Sequence, residues 1–436
     1  MKLIIHRGTQ EIGGSCVELS TANTRILIDF GMPLVDKKRE KFDSAILKGK
    51  SVEELKSLSI LPEIKGLYKD EEKSIDAILI SHSHLDHYGF LNYVHPDIPV
   101  YLSAGAKELI DVTNIFIYGG LKNLNIKLIN NKQSLTIKDF KITPYLVDHS
   151  AFDALAFLIE ADGKRVFYSG DFRAHGRKRS LFKNMLKNPP ENIDCLLMEG
   201  SMLTRDRQEY NNEDEIEGKI EKTLKEHKNI TFLFTSSQNI DRLVSAYRAC
   251  LKADSIFVID IYTAFILDKL KKISKGIPQF NWKNIRIKFL PHHADRLAET
   301  GYRDLLYVYN KRKITSLEIS KNKNRILMLT RDNSMFPRTI KEIKGAEGSK
   351  IIYSMWAGYL TDTFSQYCEK KGLILEHVHT SGHATKEDLQ AFAKALSPSM
   401  LIPIHTFEAD KYPDLFKNVK ILKDGEVLEL KSKVLL

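Results

Sequence analysis

Between Ser81 and Gly89 the chain reads Ser-His-Ser-His-Leu-Asp-His-Tyr-Gly, which sets His82, His84, Asp86 and His87 within six positions directly after the apolar run Ala77 to Ile80. Imidazole nitrogens and carboxylate oxygens are the donors that hard and borderline divalent cations accept. Alternate histidines entering a turn can converge on one ion while the Asp-His pair turns toward a second. Solvated histidines on a polar helix cap are the competing explanation, but only 14 histidines serve 436 residues and three of them fall here.

Asp29, His149, Asp171, Glu199, His383 and His405, like His82, each lie at or shortly after the carboxyl end of a predicted strand. Open α/β sheets collect their ligands there. One such residue is commonly a cap or turn former; seven in the same relation call for a shared site. By donor chemistry, His82, His84 and His149 supply three nitrogens to one ion, Asp86, His87 and His405 hold another, and Asp171, within Tyr168-Ser-Gly-Asp-Phe-Arg173, has the carboxylate needed to bridge them. Gly170 lets the backbone approach closely. Two divalent ions about 3.5 to 4 Å apart lower the pKa of a shared water from about 15.7 to about 7 and neutralise the non-bridging oxygens of a phosphodiester. The expected nucleophile is that hydroxide, so Ser15 and Cys16 are given no nucleophilic role. Asp29 is placed to accept a hydrogen bond from the second ring nitrogen of a ligating imidazole. His383 is the candidate to protonate or hydrogen-bond the leaving oxygen, with Glu199 available to set its tautomer. Ser381 and Gly382 are expected to open a helix whose first amides could hold a phosphate.

Short β-branched runs position these residues: Arg25 to Asp29, Ala77 to Ser81, Ile142 to Val147, Arg165 to Ser169 and Cys195 to Glu199 read as buried strands. Asp36 to Leu58 is charged with helical spacing, and Tyr68 to Lys73 reads as a solvated surface turn. After Leu203, strand and helix alternate: Ile230 to Thr235 before Asn239 to Leu251, Ser255 to Ile261 before Tyr262 to Ser274, then Ile285 to Leu290, Arg325 to Thr330 and Lys350 to Ser354. That is the rhythm of a parallel sheet wrapped by helices. Leu373 to His377 and Met400 to Ile404 resume the earlier style, so a doubly wound unit over residues 205–365 is expected as an insertion between 1–204 and 366–436. The tail from Val419 reads as a hairpin turning at Asp424-Gly425.

The length suits two or three domains and the 43% hydrophobic composition sizeable cores. A net charge of +10 favours polyanionic partners. Arg173, Arg177, Lys178 and Arg179 are candidate contacts, against a solvated face. Cys16, Cys195, Cys250 and Cys368 are widely separated, which suggests neither a disulfide framework nor a thiolate zinc site and fits a reducing cytoplasm. The first ten residues are too short an apolar run for a signal peptide, and no stretch reaches the ~18 apolar residues of a membrane span.

His82-Ser-His-Leu-Asp-His87, with Asp29, His149 and Asp171, resembles the four motifs of the metallo-β-lactamase superfamily, and Glu199, His383 and His405 resemble motifs A, B and C of its β-CASP branch. Within that branch Glu11-Ile-Gly-Gly-Ser-Cys16, Asp148-His-Ser-Ala-Phe-Asp153, Met198-Glu-Gly-Ser201, Ser236-Ser-Gln-Asn-Ile-Asp-Arg242 and Ser381-Gly-His-Ala384 are similar to ribonuclease J-type sequences. The resemblance implies a four-layer αβ/βα sandwich with an inserted β-CASP domain. It also implies two zinc ions in the cleft, with manganese or iron as alternatives, and hydrolysis of nucleic-acid phosphodiesters. Histidine at motif C, here His405, implies RNA, single-stranded, cut 5′ to 3′ from an end or internally. It also implies that Ser236, Ser237, Asn239, Ser381 and His383 face the phosphate backbone. The resemblance would leave a homodimer open. Thr406-Phe407 stands where ribonuclease J usually has Gly-Glu, and Ser201 follows Gly200 where Thr is usual. The chain ends soon after His405, without the extra carboxyl-terminal domain of bacterial ribonuclease J, and no KH domain precedes the catalytic part. A DNA nuclease on the same scaffold, a small-molecule ester or thioester hydrolase and a catalytically silent RNA-binding subunit are the rival functions. The large insertion argues against the small-molecule hydrolase, and the full donor set against the silent subunit.

Overall fold

The computed structural model describes residues 1–36, 39–116, 120–121, 124–205 and 209–431. The first sheet holds β1 (Lys2–Arg7), β2 (Cys16–Ser20), β3 (Arg25–Ile28), β4 (Ala77–Leu79), β5 (Pro99–Leu102) and β6 (Asn125–Leu128), of which β2 to β4 are buried on both faces. β1 to β3 pair antiparallel and β3 to β6 parallel. The second sheet holds β7 (Leu135–Ile137), β8 (Phe140–Leu146), β9 (Leu155–Ala161), β10 (Lys164–Tyr168) and β11 (Cys195–Met198), antiparallel as far as β10 and parallel from β10 to β11. The third is wholly parallel: β12 (Thr231–Phe234), β13 (Ile256–Asp260), β14 (Ile285–Lys288), β15 (Ile326–Thr330), β16 (Lys350–Tyr353) and β17 (Ile374–His377), in the order β14-β13-β15-β12-β16-β17. The chain then returns, β18 (Leu401–Pro403) lying beside β11 and β19 (Val427–Glu429) beside β1.

The two-residue period of a strand sends successive side chains to opposite faces and so builds the layers. Ile26 and Ile28 of β3 and Ala77 and Leu79 of β4 meet Phe157, Ile159, Val166 and Leu197 of the second sheet in a shared core. Leu27 and Ile78 point the other way, onto Leu55 of helix Val52–Ser57 and Ala106 and Ile110 of helix Ala104–Phe116. Phe167 and Leu196, on the outer face of the second sheet, pack under Phe182 of helix Arg179–Lys187 and Leu389 and Phe392 of helix Lys386–Leu396. Helix, sheet, sheet, helix is the αβ/βα sandwich, and each fully buried Leu or Ile stabilises it by roughly 1.5–3 kcal/mol. The third sheet has a core on each face, one around Leu233, Leu243 and Phe265 and one around Phe232, Phe234 and Phe336, as in a doubly wound unit.

Four local expectations change. The third sheet runs on through β17, past the expected boundary at 365, because β17 pairs parallel with β16 and Phe364, Cys368 and Leu373 belong to that sheet's core. The tail turns at Asp424-Gly425, but among the described residues it forms no strand pair with itself: Val419 bridges Leu401, β19 pairs with β1, and the Gly425 amide donates to Ile5, so the tail ties the two sheets of the sandwich together. In Asp36 to Leu58, Gly49 in the left-handed region (φ 74°) separates a single 3-10 turn, Ser44–Leu47, from helix Val52–Ser57; residues 37 and 38 lie outside the described residues. Tyr68, read as part of a solvated turn, is fully buried against Phe30.

A buried ion network locks the two lobes. Arg173, just past β10, places Nη2 at 2.6 Å from Asp241 and Nε at 3.2 Å from Asp148. Arg242, beside Asp241 on helix Ile240–Lys252, pairs with Glu213 at 2.9 Å and donates to the Ser354 carbonyl at 3.1 Å. Both guanidinium groups are fully buried, as are Asp148 and Glu213, so each charge depends on its partners. Burial works to raise the Glu213 carboxyl, but Arg242 and then Arg173 outweigh it and hold it at about 2. A carboxyl depressed below its usual 4.5 contributes stability that is present above that value and lost as pH falls through the folded one. Denaturant unfolding of Glu213→Gln should therefore show a clearly shallower loss of stability between about pH 4.5 and pH 2.5 than the parent chain, which should lose up to about 3 kcal/mol through this group.

Candidate metal centre

All the expected donors but His383 follow strands that end at one rim of the sandwich. Asp29 follows β3, His82 follows β4, His149 follows β8, Asp171 follows β10, Glu199 follows β11 and His405 follows β18; His383 arrives on the loop after β17. Leu85–Tyr88 is one short helical turn, which swings Asp86 and His87 back toward His82. The turn is packed so tightly on the loop after β3 that a Cβ on Gly31 would come within 1.6 Å of the Asp86 carbonyl oxygen. Gly170, in the left-handed region (φ 53°), turns the chain sharply before Asp171.

Ligand atoms of His82, His84 and His149 form one group and those of Asp86, His87, Asp171 and His405 another, each group within 4.8 Å. The groups meet at Asp171 Oδ2, which lies 3.2 Å from His87 Nε2, 3.6 Å from His405 Nε2 and 3.8 Å from His82 Nε2. In the first group His84 turns Nδ1 inward, 3.3 Å from His149 Nε2. Neighbouring donors on an ion with ~2.1 Å bonds stand roughly 3 to 4 Å apart, so the spacing suits a cation. Among the described residues His82 Nε2, His87 Nε2, His405 Nε2 and Asp171 Oδ2 are buried without a hydrogen-bond partner. Leaving such atoms unpaired costs about 1–3 kcal/mol each, and metal bound at the two donor groups would answer all four. The residues fit a divalent metal.

The atoms behind the imidazoles are fully partnered. His87 Nδ1 donates to Asp29 at 2.8 Å, and Asp29 also accepts from the Ser81 amide, the Ser81 hydroxyl and Tyr168, at 2.7, 2.8 and 2.8 Å. His149 Nδ1 donates to the Gly382 carbonyl, and His405 Nδ1 stands 3.0 Å from Ser15 Oγ. Each contact fixes the ring and leaves the other nitrogen facing the centre. Burial first, then neighbouring imidazoles, hold His82 and His149 well below the usual histidine range, and burial also lowers His84 and His405. A lowered histidine favours the neutral ring, the form that binds metal. His87 goes the other way: burial opposes its charge, but Asp171, Asp86 and Asp29 override it. Burial would raise Asp171, but His405, His87 and His383 hold it well below the usual carboxylate range. His383 Nδ1 lies 3.3 Å from Glu199 Oε1 and 3.8 Å from Asp171 Oδ2, and those carboxylates overcome burial to push it up to about 9.

The residues expected to face phosphates are divided. Ser236 is exposed just past β12, and Asn239 caps helix Ile240–Lys252 by accepting from the Arg242 amide. Ser237 is instead buried against Thr263 and hydrogen-bonded by Arg331, which turns it away from the cleft. Ser381 and Gly382 do not open a helix; Thr385 caps helix Lys386–Leu396, and Ser381 gives its carbonyl to Arg173 and His175. Arg173 and Arg177 are committed to internal carboxylates, and Arg179 to Asp214, so their expected contact with a polyanion gives way to structural pairing. Ser81, Ser15 and Tyr168 were missed as site residues, because a hydroxyl that supports a histidine carries no spacing signature.

Residues 60–231 match the family described as the beta-lactamase superfamily domain, and residues 365–416 the Zn-dependent metallo-hydrolase RNA specificity domain. An RNase J-like protein of Methanocaldococcus jannaschii is 24% identical over 327 residues, covering 71% of this chain and 69% of the relative. Ribonuclease J of Helicobacter pylori is 23% identical over 445 residues, covering 97% of this chain and 59% of the relative, so the chain spans about three-fifths of that protein's length. A crystal structure of an Enterococcus faecalis protein of unknown function superposes with a TM-score of 0.78 at 22% identity, over 98% of this chain and 99% of that one. Sandwich, donor rim and family matches together support a ribonuclease J-like protein of the β-CASP branch of the metallo-β-lactamase superfamily.

Asp29→Asn removes the charge that His87, Ser81 and Tyr168 share. Zinc affinity, read by competition with a chromophoric chelator, should fall about 10- to 100-fold while the far-ultraviolet spectrum stays that of the parent.

Proposed function

We propose that the chain is a metal-dependent ribonuclease that hydrolyses phosphodiester bonds of single-stranded RNA in the cleft between the sandwich and the lobe of β12 to β17, which is the inserted β-CASP domain on this reading. The observation that carries it is the pair of donor groups joined at Asp171 Oδ2. The RNA specificity family matched by residues 365–416 and the ribonuclease J relatives support RNA over DNA.

On this reading His82, His84 and His149 would hold one divalent ion, Asp86, His87 and His405 would hold a second, and Asp171 would serve both groups; zinc suits the nitrogen and oxygen donors, and manganese or iron would be accepted by the same set. Such ions, when bound, acidify water and neutralise charge on the phosphoryl oxygens. The protein's own part is orientation. Asp29 and the Gly382 carbonyl accept from His87 and His149 and hold those two imidazoles at fixed tautomers, and Ser15 Oγ and the Gly13 amide hold the His405 ring by its Nδ1. His383, tethered to Glu199, hydrogen-bonds the leaving oxygen. The Arg173 contact with the Ser381 carbonyl keeps the His383 loop over the donors. Ser236, exposed past β12, and Asn239, at the amino end of the next helix, stand where a backbone phosphate could reach them.

Asp171→Ala should abolish cleavage of a 5′-labelled single-stranded RNA and lower bound metal, measured by elemental analysis, with the far-ultraviolet spectrum unchanged; turnover retained at parent rate would remove the assignment. Matched single-stranded RNA and DNA decide the substrate, and equal or faster cleavage of DNA would reverse the choice. The labelled products separate stepwise removal from the 5′ end from internal cutting.

A further inference from the structure

Arg205, Trp356 and Tyr359 come together from two loops beside the donor rim. Trp356 and Tyr359 lie just past β16, in and before the single 3-10 turn Ala357–Tyr359, and Arg205 closes the turn that begins at Glu199, its amide donating to the Met202 carbonyl at 3.2 Å. The chain has only two tryptophans. Trp282 packs against Tyr247 at the helical core of the third sheet, whereas Trp356 is 45% exposed and Tyr359 beside it 53% exposed. Large aromatic surface left in solvent next to a cleft calls for an occupant.

The arrangement is built. The Arg205 guanidinium carbon sits 4.8 Å over the Trp356 ring centroid, and the Tyr359 ring meets the indole edge-on at 5.2 Å and 86°. Gly358 packs against the six-membered ring of the indole, where a Cβ would come within 2.4 to 2.5 Å of three ring carbons, and this close backbone approach limits the side chain's freedom. Among the described residues Arg205 has no carboxylate ion-pair partner, unlike Arg173, Arg177 and Arg179. Burial and then the Asp86 carboxylate push the Tyr359 phenol up, which sets this ring on the same rim as the donors.

Resting on the ribonuclease reading, we propose that Trp356 and Tyr359 form a stacking platform for one unpaired nucleobase of the RNA entering the cleft, with Arg205 meeting the adjoining phosphate. A single-stranded polymer presents flat, π-faced bases in series with a charged backbone, and an indole and a phenol beside a guanidinium without a carboxylate partner among the described residues match both features. A duplex keeps its bases stacked on each other and would gain nothing from these rings, so the platform also selects for single strands.

The test uses the full chain and an unstructured RNA oligonucleotide, with EDTA present so that binding is read without cleavage. In a Trp282→Phe background the remaining indole fluorescence should quench saturably with the RNA, and replacing the nucleotides one at a time by abasic ones should weaken binding about tenfold at the seated position. With divalent ion restored, Trp356→Ala should raise KM for the same RNA about tenfold and leave kcat within about twofold, the signature of lost binding that is equal in ground and transition states. An unchanged KM together with abasic RNA that binds as well as intact RNA would overturn the platform and leave the ribonuclease reading standing. Saturable quenching by an RNA that the metal-loaded parent never cleaves would do the reverse.

Discussion

One carboxylate oxygen, Asp171 Oδ2, lies buried within 4 Å of nitrogens from His82, His87, His383 and His405 and has no hydrogen-bond donor of its own among the described residues. Much of the molecule exists to make that arrangement tolerable. Desolvation alone would drive the carboxyl to its neutral form, and the surrounding imidazoles reverse that. The imidazoles are themselves held by Asp29, Ser15 and the Gly382 carbonyl, so the cost of burying unpaired lone pairs is concentrated at the one point where a cation would relieve it.

Holding such a point steady takes both sheets of the sandwich and a loop from outside it. Asp29 and His82 leave the first sheet, and His149, Asp171, Glu199 and His405 leave the second. A slip of one residue between strands would turn every one of these side chains to the wrong face. His383 enters from β17 of the third sheet, and its loop is pinned through Arg173 and His175 on the Ser381 carbonyl. Because Arg173 also meets Asp148 and Asp241, the contact that positions this loop is the one that joins the lobes. His405 adopts a left-handed backbone (φ 55°), secured by its amide on the Gly8 carbonyl at 2.8 Å; local strain of this kind persists only where its surroundings over-determine it.

The charge of the chain takes on a different meaning in this setting. A net +10 suggested a basic face for a polyanion. Many of the arginines nearest the cleft are spent internally on Asp148, Asp214, Glu217 and Asp241, and Lys178 also faces Asp241. Among the described residues the same rim also carries Trp356 and Tyr359 with the Arg205 guanidinium over the indole, the kind of surface that suits flat bases as much as phosphates.

The amino-acid sequence by itself determined which residue types could bind metal and that they follow strand ends, since His-x-His-x-Asp-His and a carboxylate after Ser-Gly are legible from donor chemistry and spacing alone. It also determined β3, β4, β8, β10, β11 and β18, as short apolar, β-branched runs, and the parallel character of the third sheet, through strand and helix in turn. Only the tertiary structure decided that β17 belongs to the third sheet, that the tail stitches the sandwich, that Ser237 turns inward while Ser81 and Tyr168 serve Asp29, and that Arg173 joins the lobes. The physical reason is the range of the forces involved. Periodicity and ligand type are properties of neighbours along the chain. A hydroxyl behind an imidazole, or a guanidinium between two carboxylates, is selected by residues dozens to hundreds of positions away, and its value appears only once burial has removed water as the alternative partner.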